Sequence, residues 1–151
     1  MDGSCSDVFS NGIWPEIGQI HDPNLKELAM VALRGKAPAT VKKYAGGFNR
    51  WKRWADSKPG IDPFPVKPFQ LALYLVQSAK TSAPIEEAVH SLSWAHQLAV
   101  VEDPTDHPLV KQVLAGSKRI LAHKTTKKEP ITPEILNKYL ISLLRHRRNS
   151  L

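Results

Sequence analysis

The sequence predicts an all-α protein: a compact bundle of four to five helices, followed by a C-terminal linker helix. Three observations predict it. Apolar residues recur at steps of three and four instead of alternating, so the period is helical. No stretch reads as a strand and no internal repeat is present. Proline and glycine fall between the periodic segments, at 35–38, 59–68 and 130–133, where helices have to stop or start. The 151 residues are 42% hydrophobic, enough for a real core, and no apolar run reaches membrane-spanning length.

Residues 1–21 lack periodicity and are predicted to be a mobile N-terminal arm, with Trp14 and Ile17 as the residues to dock it. The opening MDGSCSDVFSNG is polar and acidic, unlike a secretory signal. The helical domain is expected over residues 22–123. From Asn24 to Arg34, Leu25, Leu28, Ala29, Ala32 and Leu33 make a short amphipathic helix closed by Gly35. Ala37-Pro38-Ala39 then leads into the helix around which the chain is organised. Val41, Tyr44, Phe48, Trp51 and Ala55 line its buried face, Thr40 is its expected N-cap, and Pro59-Gly60 stops it near Lys58.

Residues 61–68 carry three prolines and read as a stiff extended link. Phe69–Ala79 is apolar on nearly all sides, the pattern of a helix at the buried centre of a bundle. Ser82 and Pro84 open the next helix, which runs to Val100. Ile85, Ala88, Val89, Leu92, Ala95 and Ala99 face inward, while Glu86, His90, Ser93 and Gln97 form an outer line with Trp94 at its border. After a turn at Glu102–Pro104, Thr105 or Asp106 caps a helix through Ala122. There Leu109, Val110, Val113, Leu114, Ile120 and Leu121 point inward, and Lys111, Lys118 and Arg119 stay outside. Residues 124–131 form a basic linker. Residues 132–151 hold a terminal helix, opened by Thr132-Pro133-Glu134 and ending in a basic tail, Arg145-His146-Arg147-Arg148.

Charge is distributed in blocks. Residues 1–34 carry a net −3, 35–58 carry +6, 59–110 carry −4 and 111–151 carry +8, within a total of +7. Clustered positive charge favours a polyanion, most often nucleic acid. Along the helix from Thr40, Lys42, Gly46, Asn49 and Arg53 fall on one line, with Lys43 and Arg50 beside it. A charged outer face is ordinarily just a solvated one. Here, however, no acidic residue lies between Lys42 and Arg53, so the i,i+4 ion pairs of a solvated helix are missing. Gly46 and Gly47 cost about 0.5–1 kcal/mol each inside a helix. They either let a phosphate backbone approach or let another helix pack closely.

Other chemistry finds little support. Cys5 is the single cysteine, and the six histidines have no zinc-type spacing, so no metal or cofactor is expected. Glu86 and Glu87 sit in a first helical turn, where carboxylates complement the helix dipole. No glycine-rich phosphate loop follows a strand. The tryptophans read as core residues before they read as stacking platforms. The aromatics have a core to fill, which argues against a membrane-surface role.

Thr40-Val41, Tyr44, Phe48, Trp51 and Trp54, together with SAPIEEAVHSLSWAHQLA, DPTDHPLVKQVLAGSKR and KKEPITPEIL, resemble the core-binding domain of tyrosine recombinases, the phage integrase family. The likeness covers Leu25 to Leu140, and its flavour is that of mobile elements in animal genomes. It implies a SAM-like helical bundle forming half of a clamp around double-stranded DNA, followed by a linker to a catalytic domain. It further implies DNA contacts from Lys42, Lys43, Asn49, Arg50 and Arg53, and from His90, Ser93 and Gln97. Lys118, Arg119, Lys124, Lys127 and Lys128 would follow the phosphates near the linker.

The family's catalytic set includes a His-x-x-Arg and a nucleophilic Tyr in the second domain. No histidine here has Arg three residues later, and Tyr139, the last tyrosine, falls where that domain would begin. The expectation is therefore a DNA-binding, recombination-associated protein without strand-cleaving activity or a small-molecule substrate, located in the nucleus. The alternative is a protein-interaction module derived from a recombinase, dimerising or docking through residues 132–144.

Overall fold

Two long helices, α4 (Pro38–Asp56) and α6 (Ser82–Ala99), run antiparallel in the computed structural model. Tyr44 lies against Trp94 with ring centroids 5.9 Å apart, and Arg50 meets Glu87 at 2.6 Å. The structure describes residues 3–78, 82–125 and 133–149. Among them the chain is all-helical: α1 (Gly3–Phe9), α2 (Trp14–Gly18), α3 (Leu25–Leu33), α5 (Pro68–Ser78), α7 (Pro108–Thr125) and α8 (Pro133–Asn149) complete the set. A single 3-10 turn, Pro104–Asp106, precedes α7. The chain divides into two compact units, residues 1–117 and 118–151, with the division falling inside α7.

The core of the first unit is built where the sequence periodicity predicted it. Phe48, Trp51 and Ala55 of α4 and Ile85, Leu92, Ala95 and Ala99 of α6 are buried together with Leu71 and Leu75 of α5. Each large side chain so covered contributes about 1.5–3 kcal/mol of transfer free energy. Trp94, at the border of the α6 outer line, is also buried. Trp51, Trp54 and Tyr74 form a ring cluster with centroids 5.2–5.4 Å apart.

The proline-rich link is tied to α4 and α6 through two of its backbone groups. Trp51 Nε1 donates to the Pro63 carbonyl at 2.8 Å, and the Val66 N–H donates to His96 Nε2 at 2.9 Å. Because Nε2 accepts, the ring proton belongs on Nδ1, which lies 2.6 Å from the Leu92 carbonyl. Burial pushes the His96 pKa below its ordinary value. Its hydrogen bond to Leu92 and the nearby Asp103 carboxylate work in the other direction.

Several expectations need correction. Residues 1–21 are not a bare arm: α1 packs on α4 and α6, Val8 is buried, and Asp7 pairs with Lys52 at 2.6 Å. Trp14 Nε1 donates to the Leu98 carbonyl at 2.8 Å. These helices escaped a periodicity search because neither exceeds seven residues. Between them, Gly12 has φ +64°, and a β-carbon there would overlap the Ala99 carbonyl; the tight turn lets the Ile13 N–H reach that oxygen at 3.0 Å.

Thr40 is not the N-cap of α4. The helix starts at Pro38 with Ala37 in the capping position, where alanine offers no side-chain acceptor, and the fixed φ of proline suits the first turn. Neither Thr105 nor Asp106 caps α7. Asp103 caps the 3-10 turn through the Thr105 N–H at 2.9 Å, and His107 Nδ1 accepts the Leu109 N–H at 3.1 Å where α7 begins. Helix α7 runs to Thr125, into the expected linker, whose remaining residues 126–131 lie outside the described set.

Helix α5 is not the enclosed centre of the bundle. Leu71, Ala72, Tyr74 and Leu75 are buried, but Phe69, Leu73 and Val76 face out. None of the apolar residues of α3 is buried.

Candidate nucleic-acid interface

Helix α4 is buried on one side by the core and carries its cations on the other. Lys42, Lys43, Arg50 and Arg53 are exposed and Asn49 is half-buried. Helix α6 buries its inner residues in the same core, and the Arg50–Glu87 pair ties its first half to the cationic side of α4. On its outer line Glu86, His90 and Gln97 are exposed and Ser93 is half-buried. The structure therefore places two of the three expected groups on adjacent helices of the first unit, α4 and α6, joined by the Arg50–Glu87 pair.

Electrostatic pairing divides the cations. Arg50 Nη2 lies 2.6 Å from Glu87 Oε1, bridging α4 to α6 across the face. The α4 segment without acids thus obtains a carboxylate from its neighbour. Lys52, off the line, is turned to Asp7. Lys42, Lys43 and Arg53 make no ion pair with a carboxylate among the described residues.

Sites on α6 are more committed. Ser93 Oγ donates to Asp103 Oδ2 at 2.5 Å and accepts from Gln97 Nε2 at 3.0 Å. Burial alone raises the Asp103 carboxyl, but hydrogen bonds from Ser93 and Thr105 overcome it and hold the pKa below its ordinary value. An anionic carboxylate therefore stands beside Ser93, a poor setting for a phosphate contact at that residue. His90 is the exposed α6 side chain next to Ser91, against which α4 packs.

The two glycines separate in role. A β-carbon on Gly47 would overlap Ser91 Oγ and stand 2.7 Å from Ser91 Cβ, so this glycine sets the close approach of α4 to α6. Gly46 would meet only Arg50 Nη1 at 3.8 Å, leaving the surface beside it open. Of the expected linker contacts, Lys118 and Arg119 are exposed on α7 in the second unit. The Lys124 side chain, Lys127 and Lys128 lie outside the described set.

Sequence reasoning missed the Arg50–Glu87 bridge. The two residues are 37 positions apart, and no local spacing joins them. Among the described residues no group of three or more His, Cys, Asp or Glu could hold a metal ion, and no helix is long and apolar enough to cross a membrane. No family model matches the chain, and no curated protein matches it.

Proposed function

We propose that this chain binds duplex DNA through the outer face of α4, with the exposed line of α6 alongside. Its resemblance to a tyrosine-recombinase core-binding domain supports association with DNA recombination or integration in a nuclear setting, without strand cleavage by this chain. The observation that carries the reading is the arc of Lys42, Lys43 and Arg53: three exposed cations on one helix, with no acidic residue on α4 between them. Open surface at Gly46 lets a sugar–phosphate backbone come close to that arc.

Binding of this kind is mainly electrostatic. Each neutralised phosphate contributes a slope of about −0.9 to log affinity against log salt, so this arc alone supplies a slope near −3. Asn49 and Arg50 are the residues of the right chemistry for base edges in the major groove.

A gel-shift titration of the full chain on a duplex of about 30 base pairs, over a salt series, tests the reading. Changing Lys42, Lys43 and Arg53 together to Ala is expected to weaken binding at low salt at least tenfold and to flatten the slope by about 3. Affinity that ignores salt, or that survives the triple change, removes the proposal. The apolar face of α8 is a separate matter, since that helix can pair with a protein whether or not α4 holds DNA.

A further inference from the structure

A groove opens between the proline-rich link and the segment joining α6 to α7, wholly within the first unit. Its volume is 730 Å³, inside the range of about 300–1,000 Å³ common to ligand sites. Pro65, Val66, Pro68, Val101, Pro104 and Pro108 give it apolar walls.

Those walls are fixed before any ligand arrives. Asp103 closes the 3-10 turn by accepting from the Thr105 N–H and hydroxyl at 2.9 and 2.7 Å, and proline restricts the backbone on both sides. An occupant therefore meets a preorganised surface, with little loop ordering to offset its affinity. The Val66 and Val101 N–H groups are already bonded to His96, and the Lys67 and Pro104 carbonyls accept from Leu71 and His107. Recognition accordingly falls to side chains.

Charge names the occupant. Asp62, Glu102 and Asp106 are exposed along the groove, and Asp103 adds a fourth carboxylate. Among the described residues Lys67 is the one Lys or Arg that lines it, and Asp62, Glu102 and Asp106 make no ion pair. A neutral apolar ligand would leave these carboxylates uncompensated, and duplex phosphates would be repelled by them. A peptide bearing Lys or Arg suits both parts of the site, because its aliphatic stems can cover proline and valine while its charged heads stay at the wet rim. We infer that this groove receives a Lys/Arg-rich segment of another protein, held by Asp62, Glu102 and Asp106 against the proline walls. The assignment is independent of DNA binding by α4, since the groove has the opposite charge.

Fluorescence anisotropy tests it, with the full chain titrated into a labelled peptide of about twelve residues repeating Lys-Arg-Ala, at about 50 mM salt. Saturable binding with a Kd below about 200 µM is expected, although the chain as a whole carries +7 and repels such a peptide elsewhere. Glu102→Lys with Asp106→Lys should weaken binding at least about tenfold with circular dichroism unchanged, because both side chains are exposed. The neutral pair Glu102→Gln with Asp106→Asn, which keeps side-chain shape, should weaken it at least about threefold. Glu16→Lys with Glu27→Lys changes net charge by the same amount at exposed residues that do not line the groove, and should alter affinity by less than about threefold.

A wild-type chain that shows no saturation by about 500 µM overturns the inference. So do groove variants that bind as wild type does, or a Glu16 and Glu27 reversal that weakens binding as much as the groove reversal. Spermidine that displaces the peptide at an equal concentration of positive charge overturns the assignment to a protein segment.

Discussion

Arg50 of α4 and Glu87 of α6 meet at 2.6 Å, and this one bridge both joins the two principal helices and places a carboxylate on the cationic face. The guanidinium is about half exposed, with a side-chain exposure of 52% against 27% for Glu87, so solvent screens the pair and its contribution to stability is small. Its larger effect is on what the face attracts. Glu87→Gln leaves shape nearly unchanged, removes one negative charge and releases Arg50. If α4 holds DNA, this variant should bind duplex about two- to fivefold more tightly at low salt and steepen the salt slope by about 0.9. A gel-shift salt series on the variant and wild type measures both.

Gly47 and Ser91 touch across the same helix pair, and there is no room between them for a methyl group. Gly47→Ala gains helix propensity but has to push α4 off α6, so a net loss of about 1–3 kcal/mol is expected. Ser91 Oγ donates to the Glu87 carbonyl within its own helix, and Ser91→Gly removes the atoms that obstruct. Denaturant unfolding of the two single variants and the double should therefore show positive coupling, with Gly47→Ala less harmful in the Ser91→Gly background.

His96 is fully buried and neutral, and its Nε2 accepts the Val66 N–H. Protonation would put a donor where an acceptor is needed. The folded pKa is lowered beneath the ordinary 6.5, with burial as the chief cause, so the unfolded chain takes up the proton first. Stability from this residue is accordingly present above pH 6.5 and lost as pH falls from there through the folded value, with a limiting slope of about 1.4 kcal/mol per pH unit. Asp103 also has a lowered pKa, but its window lies below the ordinary carboxylate range. Unfolding free energies at pH 7.5, 6.5 and 5.5 should decline, and His96→Gln should lower stability at pH 7.5 while flattening the decline.

Val100, directly after α6, sits at φ +58° and is 66% exposed. A β-branched side chain is poorly suited to the left-handed region, whereas glycine enters it freely. Val100→Gly is expected to stabilise the protein by about 0.5–1 kcal/mol after the greater entropy of the unfolded chain is counted. Thermal unfolding checks it, and a lowered midpoint would contradict the assignment of strain.

Helix positions were legible because their signal is local. The spacing of Val41, Tyr44, Phe48, Trp51 and Ala55 specifies both a helix and its inner side, and Phe48, Trp51 and Ala55 are buried as that spacing requires. The same argument failed at α1 and α2, which are too short to show a period and are held by tertiary contacts such as Trp14 with Leu98. It also failed on α5. A helix apolar all round carries no information about which side its neighbours cover, and the neighbours here leave Phe69, Leu73 and Val76 outside.

The candidate face shows the same division. By itself the sequence determined that Lys42, Lys43, Asn49, Arg50 and Arg53 share the outer side of one helix, since residues a few positions apart are ordered by the backbone repeat. Only the tertiary structure decided that Arg50 is held by Glu87, that Ser93 is committed to Asp103, and that Gly47 serves packing while Gly46 stays open. Burial and charge pairing depend on which segments meet in space, and the Arg50–Glu87 separation of 37 residues is beyond the reach of any periodicity.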